Sequence, residues 1–243
     1  MSYYDYYGGY TYTSVSELKS KAKKYVEEQR KNGVELSPVE IDGRTIAKSW
    51  WGKSWCENLE KYADYYSRLE RGRKYVRANC VLDLQIEAGE VTALVQGSRS
   101  KPYSVTVTID ELTEEQYDRI VEKCASKIQN IDDLVKGNFP DDLKNLFTQK
   151  GAGLFPSMAK IHFKCSCPDY ADMCKHTAAV LYGIGSRFDT NPLLFFKLRG
   201  VDTDRLIGNA IKDRIQSMIE NATRPSDRIM DDGDVAAVFG MEI

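Results

Sequence analysis

Phe163-Lys164-Cys165-Ser166-Cys167-Pro168-Asp169-Tyr170-Ala171-Asp172-Met173-Cys174-Lys175-His176 is the stretch around which the rest of the chain is organised. It places a Cys-x-Cys pair, Cys165 and Cys167, a short polar loop away from a Cys-x-His pair, Cys174 and His176. Zinc has no d-electron preference for geometry and is held by four such ligands in a closed tetrahedron. The thiolates must be deprotonated to bind, and the metal charge makes three of them tolerable in one place. Three thiolates and a neutral imidazole around a divalent ion leave one negative charge, which Lys164 and Lys175 are placed to offset.

The flanking sequence suits this role. Ile161, His162, Phe163 and Lys164 alternate apolar and polar, which puts Cys165 at the end of a short strand. From Lys175 the run reads as a helix expected to stop near Gly183 or Gly185, with His176, Ala179, Val180 and Gly183 on one inward face. All four coordination positions are filled by protein, so the expected ion is one structural Zn2+ with no vacancy for water or substrate. His162 in place of His176 is the alternative fourth ligand, and unligated cysteines are the bland one. With no signal peptide or transmembrane run evident, the expected compartment is the reducing cytoplasm, where clustered Cys and His favour metal over disulfides.

These residues resemble the prokaryotic SWIM zinc finger family, whose pattern is Cys-x-Cys, a variable spacer and Cys-x-His. The likeness extends to Gly151 through Pro156, the helix start through Gly183, Leu198-Arg199-Gly200-Val201-Asp202 and, upstream, Trp50-Trp51-Gly52. It thus covers roughly Trp50 to Asp204. It implies association with DNA or protein and, for the prokaryotic family, companionship with a Swi/Snf-type helicase ATPase.

The chain has 243 residues, 42% hydrophobic and 29% charged, with a net charge of −2. That is enough for a real core, excludes wholesale disorder, and leaves only a local basic patch for gripping nucleic acid. Ser14-Val15-Ser16-Glu17 has the capping-box spacing, opening a helix with Val15, Leu18, Ala22 and Tyr25 on its apolar face that Asn32-Gly33 ends. Trp51, Trp55, Leu59, Tyr62 and Tyr66 form an aromatic stripe read as core along one helix, ended by Gly72 inside a basic run. Alternation over Cys80–Ile86, Val91–Val95 and Tyr103–Ile109 gives an antiparallel meander with one buried face, and Cys80 in the core. Thr113 to Gln116 is a second capping box, opening a helix with Tyr117, Ile120, Val121, Cys124 and Ile128 toward the sheet. Short helical pieces broken at Gly137 and Pro140 are expected next, and Asn191-Pro192 starts a short apolar helix ended by Arg199-Gly200. Asp202 or Thr203 starts another.

The expected architecture is α+β: a small antiparallel β-meander packed with helices, then a SWIM-type zinc module and C-terminal helices. The expected divisions are a Tyr-rich tail over 1–13, an α+β domain over 14–150, the zinc finger over 151–186, C-terminal helices over 187–224 and an acidic tail over 225–243. The expected function is a non-enzymatic adaptor. The zinc is closed to substrate, and His162 is the one histidine outside the ligand set, so nucleophilic catalysis lacks a partner. Arg71, Arg73, Lys74 and Arg77 around Tyr75, with Arg99 and Lys101, are the candidate DNA or RNA contacts. The alternative is a protein-interaction scaffold with no nucleic-acid binding of its own. No membrane partner is expected.

Overall fold

Side-chain alternation makes the sheet one-sided, and that side carries the first zinc ligand. The computed structural model describes residues 13–61, 66–127, 140–149 and 153–204. β1 (Val81–Glu87), β2 (Glu90–Val95) and β3 (Tyr103–Ile109) form an antiparallel meander, and β4 (Ile161–Cys165) adds antiparallel to β3. The register sets Ile86, Val91, Val107 and Phe163 in one row across the sheet, and Leu84, Ala93, Val105 and Cys165 in the next. Because successive side chains alternate between faces, Cys165 points to the same side as those apolar residues. Gly89 turns β1 into β2 at φ +71°, a conformation that favours glycine.

The exposed edge of β1 is covered by an extended segment. The Val39 N–H donates to the Val81 carbonyl and Leu84 N–H to that of Ser37, each at 3.0 Å. Arg187 pins the segment by donating to the Ser37 carbonyl, the Ser37 hydroxyl and the Pro38 carbonyl. Pairing an edge in this way removes a template for aggregation.

Helices α1 (Val15–Lys31), α2 (Trp50–Glu60), α3 (Tyr66–Arg77), α4 (Glu114–Lys127) and α5 (Asp141–Thr148) precede β4 or flank it in sequence, and α6 (Lys175–Thr190) and α7 (Leu193–Leu198) follow. Both expected capping boxes form, Ser14 with Glu17 and Thr113 with Gln116. The centre of the molecule is α6. Every residue from His176 to Gly185 is buried, as befits a helix covered on all sides. It packs on α2, on α3 and on all four strands. One hydrophobic cluster runs from Leu18 to Val201, so the finger shares a sheet and a core with the segments before it.

Four expectations change. Gly72 does not end a helix; it lies inside α3, where the crossing with α6 leaves no room for a side chain. Gly183 and Gly185 do not stop α6, which continues to Thr190. A Cβ at residue 185 would meet the Cys56 sulfur at 2.9 Å, and one at Gly52 would meet the Gly185 carbonyl oxygen at 2.4 Å. These glycines let two helix backbones approach. The aromatic stripe is split as well: Trp51, Trp55 and Leu59 are buried on α2, whereas Tyr66 on α3 is 65% exposed. Val15 is likewise exposed, leaving Leu18 and Ala22 as the buried face of α1. Residues 1–12, Tyr62, Ile128, the break at Gly137 and everything beyond 204, including the acidic tail, lie outside the described residues.

Candidate metal centre

Two elements meet to build the site. Cys165 ends β4, Cys174 is the N-cap of α6, and His176 sits in that helix's first turn. The ladder between β3 and β4 is prolonged past Cys165 by two reciprocal 3.0 Å bonds, Ser166 N–H to the Ser104 carbonyl and Ser104 N–H to the Ser166 hydroxyl. That clamp fixes the path from Cys165 to Cys167. The intervening loop is tied to α3 by the ion pair of Arg68 with Asp169, and Asp169 also accepts from the Ala171 N–H at 3.3 Å.

The donor atoms of Cys165, Cys167, Cys174 and His176 all lie within 4.8 Å of one another. His176 turns Nδ1 toward the cluster, 3.8 Å from the Cys174 sulfur and 3.9 Å from that of Cys165. Zinc–sulfur and zinc–nitrogen bonds of roughly 2.3 and 2.0 Å imply ligand separations of about 3.5–3.8 Å in a tetrahedron. The four donors therefore fit one Zn2+ with only a small inward adjustment. The Cys174 sulfur also accepts from the Thr177 N–H at 3.4 Å, at the positive end of α6. A thiolate so favoured is a ready metal ligand.

Two tyrosine rings pack against the imidazole. Tyr103 lies over it with ring centroids 4.5 Å apart, and Tyr75 meets it edge-on at 5.4 Å. Gly97 leaves it space, since a Cβ there would stand 3.2 Å from His176 Nε2. His176 itself is only 3% exposed. Tyr75, Tyr103 and Gly97 were not legible as part of the centre, because nothing in their spacing ties them to the finger. His162 is not a ligand. It lies on the exposed face of β4 and its Nε2 is 2.7 Å from Asp110 Oδ1. Cys80 and Cys124 are fully buried in the core, where burial raises each thiol to about 12.

The basic residues fall into two groups. Arg73 pairs with Glu60 at 2.8 Å, Lys74 with Glu70 at 2.9 Å, and Arg77 donates to the Arg44 carbonyl at 2.9 Å. Arg71, Arg99 and Lys101 are exposed and make no ion pair among the described residues.

Four ligands from a strand end and a helix start, closed around one ion, define a structural Cys3His zinc finger. The chain carries a SWIM zinc finger: residues 164–183 match that family. An uncharacterized protein of Mycobacterium tuberculosis, Rv2102, is 38% identical over 165 residues, which are 68% of this chain and 59% of the relative. The chain thus spans about three-fifths of the length of that relative. No solved structure shows a significant match. No helix among the described residues is long and apolar enough to cross a membrane.

Proposed function

We propose that the chain is a non-catalytic adaptor whose zinc finger braces a surface for DNA or RNA, and that it works beside a helicase-like ATPase of the Swi/Snf type. The observation that carries this reading is the convergence on His176 of two segments distant in sequence. Tyr75 brings α3, with exposed Arg71, against the imidazole, and Tyr103 brings the β2–β3 loop, with Arg99 and Lys101, against the same ring. Lys164 on β4 is exposed as well, and Lys175 stands 5.6 Å from the Tyr75 ring. These cations belong to elements that share one metal centre, so the ion fixes their spacing. Contacts of this kind go to phosphates, which makes them tolerant of sequence and steeply dependent on salt. The absence of a catalytic role rests on the closed ligand set and on the engagement of His162 by Asp110. The partnership with an ATPase rests on the family resemblance alone.

The test is fluorescence anisotropy of the zinc-loaded protein with labelled DNA and RNA over a salt series. Affinity that falls steeply with salt, and is lost in the triple variant Arg71→Glu, Arg99→Glu, Lys101→Glu with zinc content unchanged, supports the reading. Flat, undetectable binding removes it and leaves the protein-interaction scaffold.

A further inference from the structure

A cavity of about 550 Å³ opens at the end of β3 and β4 opposite the metal centre, where Ile109 pairs with Ile161 rather than Val105 with Cys165. Its volume is that of a small-molecule site, which runs to roughly 300–1,000 Å³. The β1–β2 turn, the end of β3, the first turns of α4 and the C-terminal end of α7 enclose it. Its lining carries both signs of charge, and each on a different footing.

The positive group is buried. Arg199 is 5% exposed and lines the cavity. Of its five N–H donors, Nη1 bonds the Asp110 carbonyl at 2.8 Å, and Nε is buried with no partner. Burial pulls its ionisation down to about 10, with Asp110 opposing. No carboxylate among the described residues makes an ion pair with this guanidinium. Asp110 attracts it, but meets it in a hydrogen bond through its carbonyl and not its carboxylate, whose Oδ1 faces His162. The negative groups are at the rim. Glu111, Glu114 and Asp118 line the same cavity, are exposed, and make no ion pair among the described residues.

A simple anion reaching Arg199 has to pass this rim of carboxylates, and a simple cation held by the rim leaves Arg199 unanswered. A molecule bearing both signs satisfies both. We propose that the cavity binds a basic amino acid or the basic C-terminal residue of a peptide, with its carboxylate accepting from Arg199 and its cationic side chain among Glu111, Glu114 and Asp118. Charge-assisted bonds at both ends give such a ligand its orientation.

Titration of the full zinc-loaded chain with L-arginine at low salt, followed by calorimetry, tests this. Saturable binding is expected. Agmatine, which lacks the carboxylate, and L-citrulline, which lacks the side-chain charge, should each bind about tenfold or more weakly, the loss for one charged hydrogen-bonding partner. The double variant Glu114→Gln, Asp118→Asn should lose a similar factor while its melting temperature holds, since both side chains are exposed. Nα-acetyl-L-arginine separates the two sources of this chemistry: retained affinity points to a peptide terminus and lost affinity to the free amino acid. No saturable binding of L-arginine, agmatine binding as tightly as L-arginine, or a double variant with unchanged affinity would overturn the proposal.

Discussion

Gly72 of α3 lies against Ala178 of α6 so closely that a Cβ on residue 72 would stand 2.5 Å from the Ala178 Cβ and 2.8 Å from its carbonyl carbon. Two opposing effects meet at this position. Gly→Ala within a helix gains about 1 kcal/mol of propensity. Overpacking a rigid contact costs about 1–3 kcal/mol, and here part of the contact is backbone that cannot rotate aside. The clash should win. Gly72→Ala is expected to lower the unfolding free energy by about 1–2 kcal/mol in chemical denaturation. A neutral or stabilising result would mean that the two helices do not cross at this point.

Removing the metal should do more than loosen the finger. β4 is part of the sheet and α6 is the core helix, so both halves of the centre belong to the framework. Structural zinc contributes an apparent 10–16 kcal/mol or so in small modules at neutral pH, against a whole domain's stability of about 5–15 kcal/mol. Chelation, or Cys174→Ser, is expected to abolish the cooperative melting transition of the chain rather than shift it by a few degrees. A Cys174→Ser protein that melts like the parent would refute the structural role of the ion.

The strands, the capping boxes and the four ligands could be read from the sequence because each signal is local: alternation of period two, a hydroxyl three residues before a Glu or Gln, and pairs of soft ligands. The glycines could not. Gly72, Gly183 and Gly185 look like helix stops when only the chain's own propensity is considered. Their purpose is tertiary: Gly72 and Gly185 let α3 and α2 approach α6, and Gly183 leaves room for Leu84 of β1 and for Val39. Tyr66 fails for the converse reason: it keeps the helical spacing of Trp51 and Trp55, but it begins a separate helix and stays 65% exposed. At the metal centre the ligands were legible and their supports, Tyr75 and Tyr103, were not, since contact with His176 is made only by the fold.

Asp189, near the end of α6, holds Ser49, the N-cap of α2, and the residue before it. Its carboxylate accepts from the Lys48 N–H, from the Ser49 N–H at 3.0 Å and from the Ser49 hydroxyl. Losing one cap bond typically costs about 1 kcal/mol, and a charged acceptor serving several donors is worth more. Asp189→Ala is therefore expected to destabilise the protein by about 2–3 kcal/mol in denaturant titration, with full zinc content. Asp189→Asn should recover part of the loss by keeping an acceptor for the backbone donors.

Alkaline pH should destabilise the core through its buried thiols. Cys80 and Cys124 are raised from 9.0 to about 12 by burial. Between those values the unfolded chain has released protons that the folded chain still holds. Fewer protons are bound unfolded, so stability falls as pH rises. The contribution is complete below pH 9 and is lost progressively up to about pH 12, at about 1.4 kcal/mol per pH unit for each thiol. Replacing Cys80 by Ala should remove one such share of the slope in denaturation measured from pH 9 upward, after allowing for whatever constant offset the smaller side chain causes. A slope identical to that of the parent would show that the Cys80 thiol reaches water in the folded state.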